Sequence, residues 1–127
     1  MIKIYGLKHT LEPIRERLSQ TLHGCLVDAL GMPKDKRAHR FFPMAREDYF
    51  FPPDRSDRYV VLEIALMAGR TTETKKRLVR LIFERFESEL AIAPRDVEIT
   101  LFEAPPENWG FRGLHGDEAK LGYSVKV

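Results

Sequence analysis

Two stretches of this 127-residue chain carry the same pattern, and that repetition limits the fold more than any other feature. Each stretch holds a short apolar strand, an amphipathic helix and a second strand. Aligned at an offset of 61 residues, Thr10 matches Thr71, Leu18 matches Val79, Leu22 matches Phe83, Pro33 matches Pro94, Asp35 matches Asp96 and Phe41 matches Phe102. A fixed internal period marks a duplicated supersecondary unit. Parallel strands joined through a helix cross over right-handedly, so both helices fall on one face of a common sheet. The expected fold class is α+β: one domain over residues 1–127, with pseudo-repeats 1–52 and 58–111 and an extension over 112–127.

Within the first unit, Ile2 to Leu7 reads as a strand beginning at the chain start, which holds the terminal amine in place. Apolar residues then recur at helical spacing from Ile14 through Leu18, Leu22, Cys25, Leu26 and Ala29. The helix is expected from Thr10, with Pro13 tolerated in its first turn and Gly31 and Pro33 ending it. Arg37 to Phe42 and Tyr49 to Phe51 look extended and are read as an irregular hairpin. In the second unit Tyr59 to Met67 is a strand, Thr71 to Leu90 a helix and Val97 to Phe102 a strand. Tyr59 to Met67 is apolar on both faces, and two helices cover only one. The other face is therefore expected to be covered by further subunits, with Leu121, Tyr123, Val125 and Val127 forming an edge strand that reaches a neighbour.

A formal charge of +2, with both signs mixed along the chain, argues against nucleic acid as a partner. No run of about 18 apolar residues occurs and the start resembles neither a signal nor a transit peptide, so no membrane partner and a cytoplasmic location are expected. Cys25, on the apolar helix face, reads as a buried free thiol, and His23 as a partly buried structural histidine. His9 and His115 are scattered in loops, and no ligand spacing suggests a metal or another cofactor.

Gly69-Arg70-Thr71 opens the second helix, Ala29-Leu30-Gly31-Met32-Pro33 closes the first, and Asn108-Trp109-Gly110-Phe111 follows the last core strand. Together with the two fused strand-helix-strand units, these residues resemble the tautomerase superfamily, in particular its longer branch, which includes malonate semialdehyde decarboxylase. The similarity spans Ile2 to Phe111; Arg112 to Val127 resembles only a narrower subgroup. The resemblance implies a homotrimer packed around a barrel-like interior and an amino-terminal proline acting as acid or base beside a carbonyl. Here Ile2 replaces that proline, and Met1 is expected to be retained. Its primary α-amine, with a reference pKa of about 7.7 to 8.0, can still serve as the base or form a Schiff base.

The resemblance assigns Arg70 to carboxylate binding, since a guanidinium grips a carboxylate through two parallel hydrogen bonds. The relatives' arginine-x-arginine pair is broken at Ala68. Lys36-Arg37 stands where the decarboxylase has aspartate-arginine; Asp35 is shifted by one residue and expected to face away, which argues against decarboxylation of that type. Arg37 is kept as an anion binder, with His39 and Arg40 on the same stretch, and Trp109 and Phe111 as apolar walls. The expected activity is an isomerase: keto-enol tautomerisation of a small anionic carbonyl compound such as a 2-oxo acid, with Met1 and Arg70 catalytic. The alternatives are a non-catalytic trimer with a binding or structural role and a generic ferredoxin-like binding module. The position of Met1 separates them: buried beside Arg70 in a concavity for the enzyme, exposed for the binder.

Overall fold

The computed structural model describes all residues from Met1 to Val127. The elements in chain order are β1 (Ile2–Leu7), α1 (Lys8–Leu11), α2 (Arg15–Leu30), β2 (His39–Met44), β3 (Val60–Met67), α3 (Thr72–Leu90), β4 (Val97–Ala104), β5 (Gly110–Phe111) and β6 (Leu114–His115). The main sheet has the order β2-β1-β3-β4. β1 and β2 are parallel, as are β3 and β4, while the central pair β1 and β3 is antiparallel, with Ile4 opposite Leu62. Each unit is thus a right-handed crossover, and the two meet about a local twofold axis between β1 and β3.

The core lies between one sheet face and the two long helices. Alternation along β1 and β3 buries Ile2, Ile4, Val60, Leu62, Ile64 and Leu66. From the helices come Leu18, Leu22, Leu26 and Leu30 on α2 and Leu78, Ile82, Phe86 and Leu90 on α3. These residues coincide at an offset of 60, not 61: Ile4 with Ile64, Leu18 with Leu78, Leu30 with Leu90. The left-handed helix ends agree, Gly31 at φ 70° and Ala91 at φ 55°. The Pro33-Lys34-Asp35 and Pro94-Arg95-Asp96 turns are shifted by one residue within connections of equal length, since His39 and Ile99 are again 60 apart, and Phe102 points away from the core while Phe41 packs on it.

Three expectations are corrected. The first helix begins early, at Lys8, and passes through a 3₁₀ turn at Glu12–Ile14, where Pro13 lacks the N–H an α-helix needs. The hairpin does not form: β2 pairs only with β1, and Tyr49 to Phe51 is irregular chain in which the Tyr49 and Phe51 rings pack on Tyr59. The tail from Leu121 to Val127 is no strand. It folds back on its own chain, where the Thr71 and Thr74 hydroxyls donate to the Val127 carbonyl at 3.3 and 2.7 Å. The second sheet face is covered within the chain only at its ends, where Leu7, Tyr59 and Met67 are buried, leaving Phe42 38% and Phe102 51% exposed. Cys25 is buried and unpaired, its thiol pushed up to about 11 by burial.

Candidate active site

β1 begins where β3 ends, and this antiparallel arrangement puts the start of the chain at the carboxyl end of the strongest strand. Met1 is pinned there from both sides and shares a concavity with Arg70, but the residue as a whole is 42% exposed, so the criterion set by the sequence is met in position and not in burial. Its α-amine donates to the Ala65 carbonyl at 3.3 Å, the Ala65 N–H donates to the Met1 carbonyl at 2.9 Å, and the Ile2 N–H donates to the Ala38 carbonyl at 2.9 Å. A cavity of about 710 Å³ opens at this point, and Met1, Arg37, Arg70, Trp109 and Phe111 all line it. Chain segments far apart in sequence converge on one concavity.

Arg70 is 7% exposed, and no carboxylate pairs with it. Nη1 donates to the Met67 carbonyl at 3.2 Å, and Nε is buried without a partner. A buried cationic donor left open carries a cost that an anion would offset. Burial chiefly, against the opposing influence of Tyr123, lowers its pKa from the usual arginine value. Its placement depends on Gly69, whose φ of 145° suits glycine and whose missing Cβ would lie 2.9 Å from Val125 Cγ1.

Arg37 lies at the rim, where Nη1 reaches Glu16 at 3.4 Å and the Ser19 hydroxyl at 3.2 Å. Ser19 Oγ is in turn 2.8 Å from His39 Nδ1, and burial lowers His39 to about 4. His39 therefore stays neutral and anchors Ser19 beneath Arg37. Trp109 is fixed by its indole N–H, which donates to the Ala104 carbonyl at 3.2 Å. Phe111 follows in the small β5-β6 hairpin, with Arg112 over its ring at 5.2 Å.

Arg40 matters more than the sequence suggested. Alternation along β2 turns it to the sheet's open face and into the cavity, with no ion pair of its own. The Met1 amine is held below its ordinary value of 8.0, first by burial, then by the positive charges of Arg40 and Arg70. Asp35 also lines the cavity, contrary to expectation, because residues 34 and 35 form a turn and strand alternation does not apply. With Lys36 and Arg112, five basic side chains and the amine face one carboxylate, which suits a small anion. His23 is buried, its Nε2 3.0 Å from the Pro33 carbonyl, while His9 pairs with Asp57 at the surface. No three His, Cys, Asp or Glu side chains converge as a metal requires, and no helix is long and apolar enough to cross a membrane.

A family model described as a tautomerase enzyme matches residues 36–112. Two proteins of Bacillus subtilis (strain 168) are similar in sequence. The probable tautomerase YusQ is 31% identical over 101 residues, covering 76% of this chain and 80% of its own; the probable tautomerase YrdN is 30% identical over 101 residues, covering 76% and 78%. Among solved structures, a malonate semialdehyde decarboxylase inhibited by 3-bromopropiolate aligns with TM-score 0.78 at 27% identity, covering 87% of this chain and 88% of that one. A fused 4-OT aligns with TM-score 0.80 at 19% identity over 91% and 95%, which establishes the shared tautomerase fold.

Proposed function

We propose that this chain, which belongs to the tautomerase family, is an isomerase that moves a proton at the α-carbon of a small 2-oxo acid or related carbonyl compound, with the Met1 amine as base and acid. The observation that carries this reading is the amine itself: it lies in the cavity, and burial, Arg40 and Arg70 lower its pKa. A larger fraction is then neutral near pH 7 and able to take a proton.

The substrate carboxylate is assigned to Arg70, whose Nε–H has no partner, with Arg37 and Arg40 attracting it from the rim. Trp109 and Phe111 confine the remainder and exclude water. The neutral amine takes the proton from the α-carbon: the C–H bond breaks, an N–H bond forms, and the electron pair moves through the new C=C bond onto the carbonyl oxygen. The surrounding cations stabilise that negative oxygen. Return of the proton to oxygen completes enolisation, and the reverse sequence ketonises an enol. Ile2 in place of proline makes the base a primary amine, leaving Schiff-base formation open to it as well.

The same family supports a homo-oligomer, for which the trimeric fused 4-OT is the precedent. The uncovered sheet face, with Tyr5 and Phe42 stacked at 4.8 Å and Phe102 half exposed, is assigned to the subunit contact. Sedimentation as a monomer at micromolar concentration would remove that assignment.

The second reading, a non-catalytic trimer, draws on the 42% exposure of Met1 and on the bond from its amine to Ala65, which commits one of its protons to the backbone. One assay separates the two: ketonisation of phenylenolpyruvate followed by ultraviolet absorbance, for wild type, Arg70→Ala and an amino-terminally acetylated form, with Met1 verified by intact mass. Activity lost in both variants supports the isomerase; no activity above buffer in the wild type supports the binder.

A further inference from the structure

The segment beyond β5 lies almost wholly outside the family match, which ends at residue 112, and it is built into the cavity. Leu121 and Tyr123 form part of the cavity wall, facing the same space as Trp109 and Phe111. The segment is fastened at several points. The Gly116 N–H donates to the Trp109 carbonyl at 2.8 Å, and any Cβ at Gly116 would meet the Pro106 carbonyl, so the chain there sits closer than another residue allows. Arg112 Nη2 donates to the Lys120 carbonyl at 3.0 Å, Val125 packs against Gly69, and Thr74 holds the Val127 carbonyl at 2.7 Å. The Tyr123 ring stands 6.0 Å from the Arg70 guanidinium carbon, within reach of a cation-π contact.

We propose that residues 112–127 are a specificity wall: Leu121 and Tyr123, lining the same cavity as Trp109 and Phe111, select 2-oxo acids bearing an aryl or branched alkyl substituent, while Arg70 takes the carboxylate. The argument is one of size and polarity. A cavity of about 710 Å³ exceeds what a three-carbon acid fills, and most of its lining residues are hydrophobic, Leu121 and Tyr123 of the tail among them. Water left against such a wall is displaced favourably by an apolar group. Contact of the Tyr123 ring with Arg70 also keeps that side chain from swinging outward, so the tail acts at both ends of the ligand.

This inference rests on the proposed 2-oxo acid site but not on turnover there, and its test uses ligands that cannot enolise. Benzoylformate and glyoxylate are both 2-oxo acids without an α-hydrogen and differ by one phenyl ring. Isothermal titration calorimetry of the full chain is expected to show benzoylformate binding at least about tenfold tighter. In Leu121→Ala/Tyr123→Ala that preference drops below about threefold, with far-UV circular dichroism unchanged; Tyr123→Phe, which keeps the ring, retains it. Equal affinities in the wild type, or a preference undiminished in the double variant, overturn the proposal. A preference without ketonase activity sinks only the catalytic reading, and activity without a preference sinks only the wall.

Discussion

The two ends of the four-stranded sheet are built from equivalent elements yet have opposite characters. At the near end β1 begins and β3 finishes, and a cavity of about 710 Å³ opens between Met1, Leu66, Arg70 and Met32. At the far end β1 finishes and β3 begins, and the equivalent positions 60 residues away are Gly6, Thr10 and Ile92; the void they line measures about 10 Å³. Thr10 there spends its hydroxyl on the Leu7 and Asp57 carbonyls at 3.2 and 2.9 Å. The linker between β2 and β3 fills the remaining space with Tyr49, Phe51 and Tyr59, their rings 5.4 to 5.8 Å apart. Duplication of a strand-helix-strand unit thus supplies two concavities. Chemistry is assigned to the one where the chain start brings an amine and an arginine replaces a threonine.

The sharpest test of that contrast pairs the two equivalent residues. Arg70→Ala is expected to lower kcat/KM for phenylenolpyruvate about a hundredfold, the worth of charge-assisted hydrogen bonds to a carboxylate. Thr10→Ala, its counterpart, is expected to leave turnover within about twofold and to destabilise by about 1 kcal/mol. The turns after the helices give a second pair. Asp96 is buried and accepts from the Ser56 N–H at 2.8 Å and the Ser56 hydroxyl at 2.5 Å, so Asp96→Ala is expected to lower Tm by about 8 °C. Asp35→Ala, exposed in the cavity mouth, shifts it by no more than about 2 °C in differential scanning fluorimetry. The smallest expected effect is at the rim: Arg37→Ala raises KM about threefold with kcat unchanged, because its charge is exposed and already paired with Glu16.

How much of this was legible depended on what each residue answers to. The strands and helices follow from apolar periodicity, since Ile4, Leu62 and Leu78 are placed by burial alone. The repeat is legible, but its register reads one residue long because Pro33/Pro94 and Asp35/Asp96 are turn residues, and that turn sits one residue later in the second copy, within a connection of the same length. The tail was misread for a different reason: alternation in Leu121 to Val127 reflects side chains meeting the cavity and Gly69 by turns, with no strand beside it to pair. The five cavity residues named from the resemblance converge, whereas Arg40, Asp35 and Tyr123 depend on a strand's facing, a turn and a fold-back that local pattern does not encode.

The central claim is that the Met1 amine, tuned by cations in the near cavity, is the group that moves the proton. It is tested most directly by the pH dependence of kcat/KM for wild type and Arg40→Ala. A base must be unprotonated to act, so the rate of enolisation should rise with pH through the amine's pKa, on a limb below the ordinary 8.0. Removing Arg40 takes away a like charge and favours the ammonium form, so the limb should move to higher pH. A limb that stays in place in Arg40→Ala, or that survives acetylation of the amine, would show that another group carries the proton.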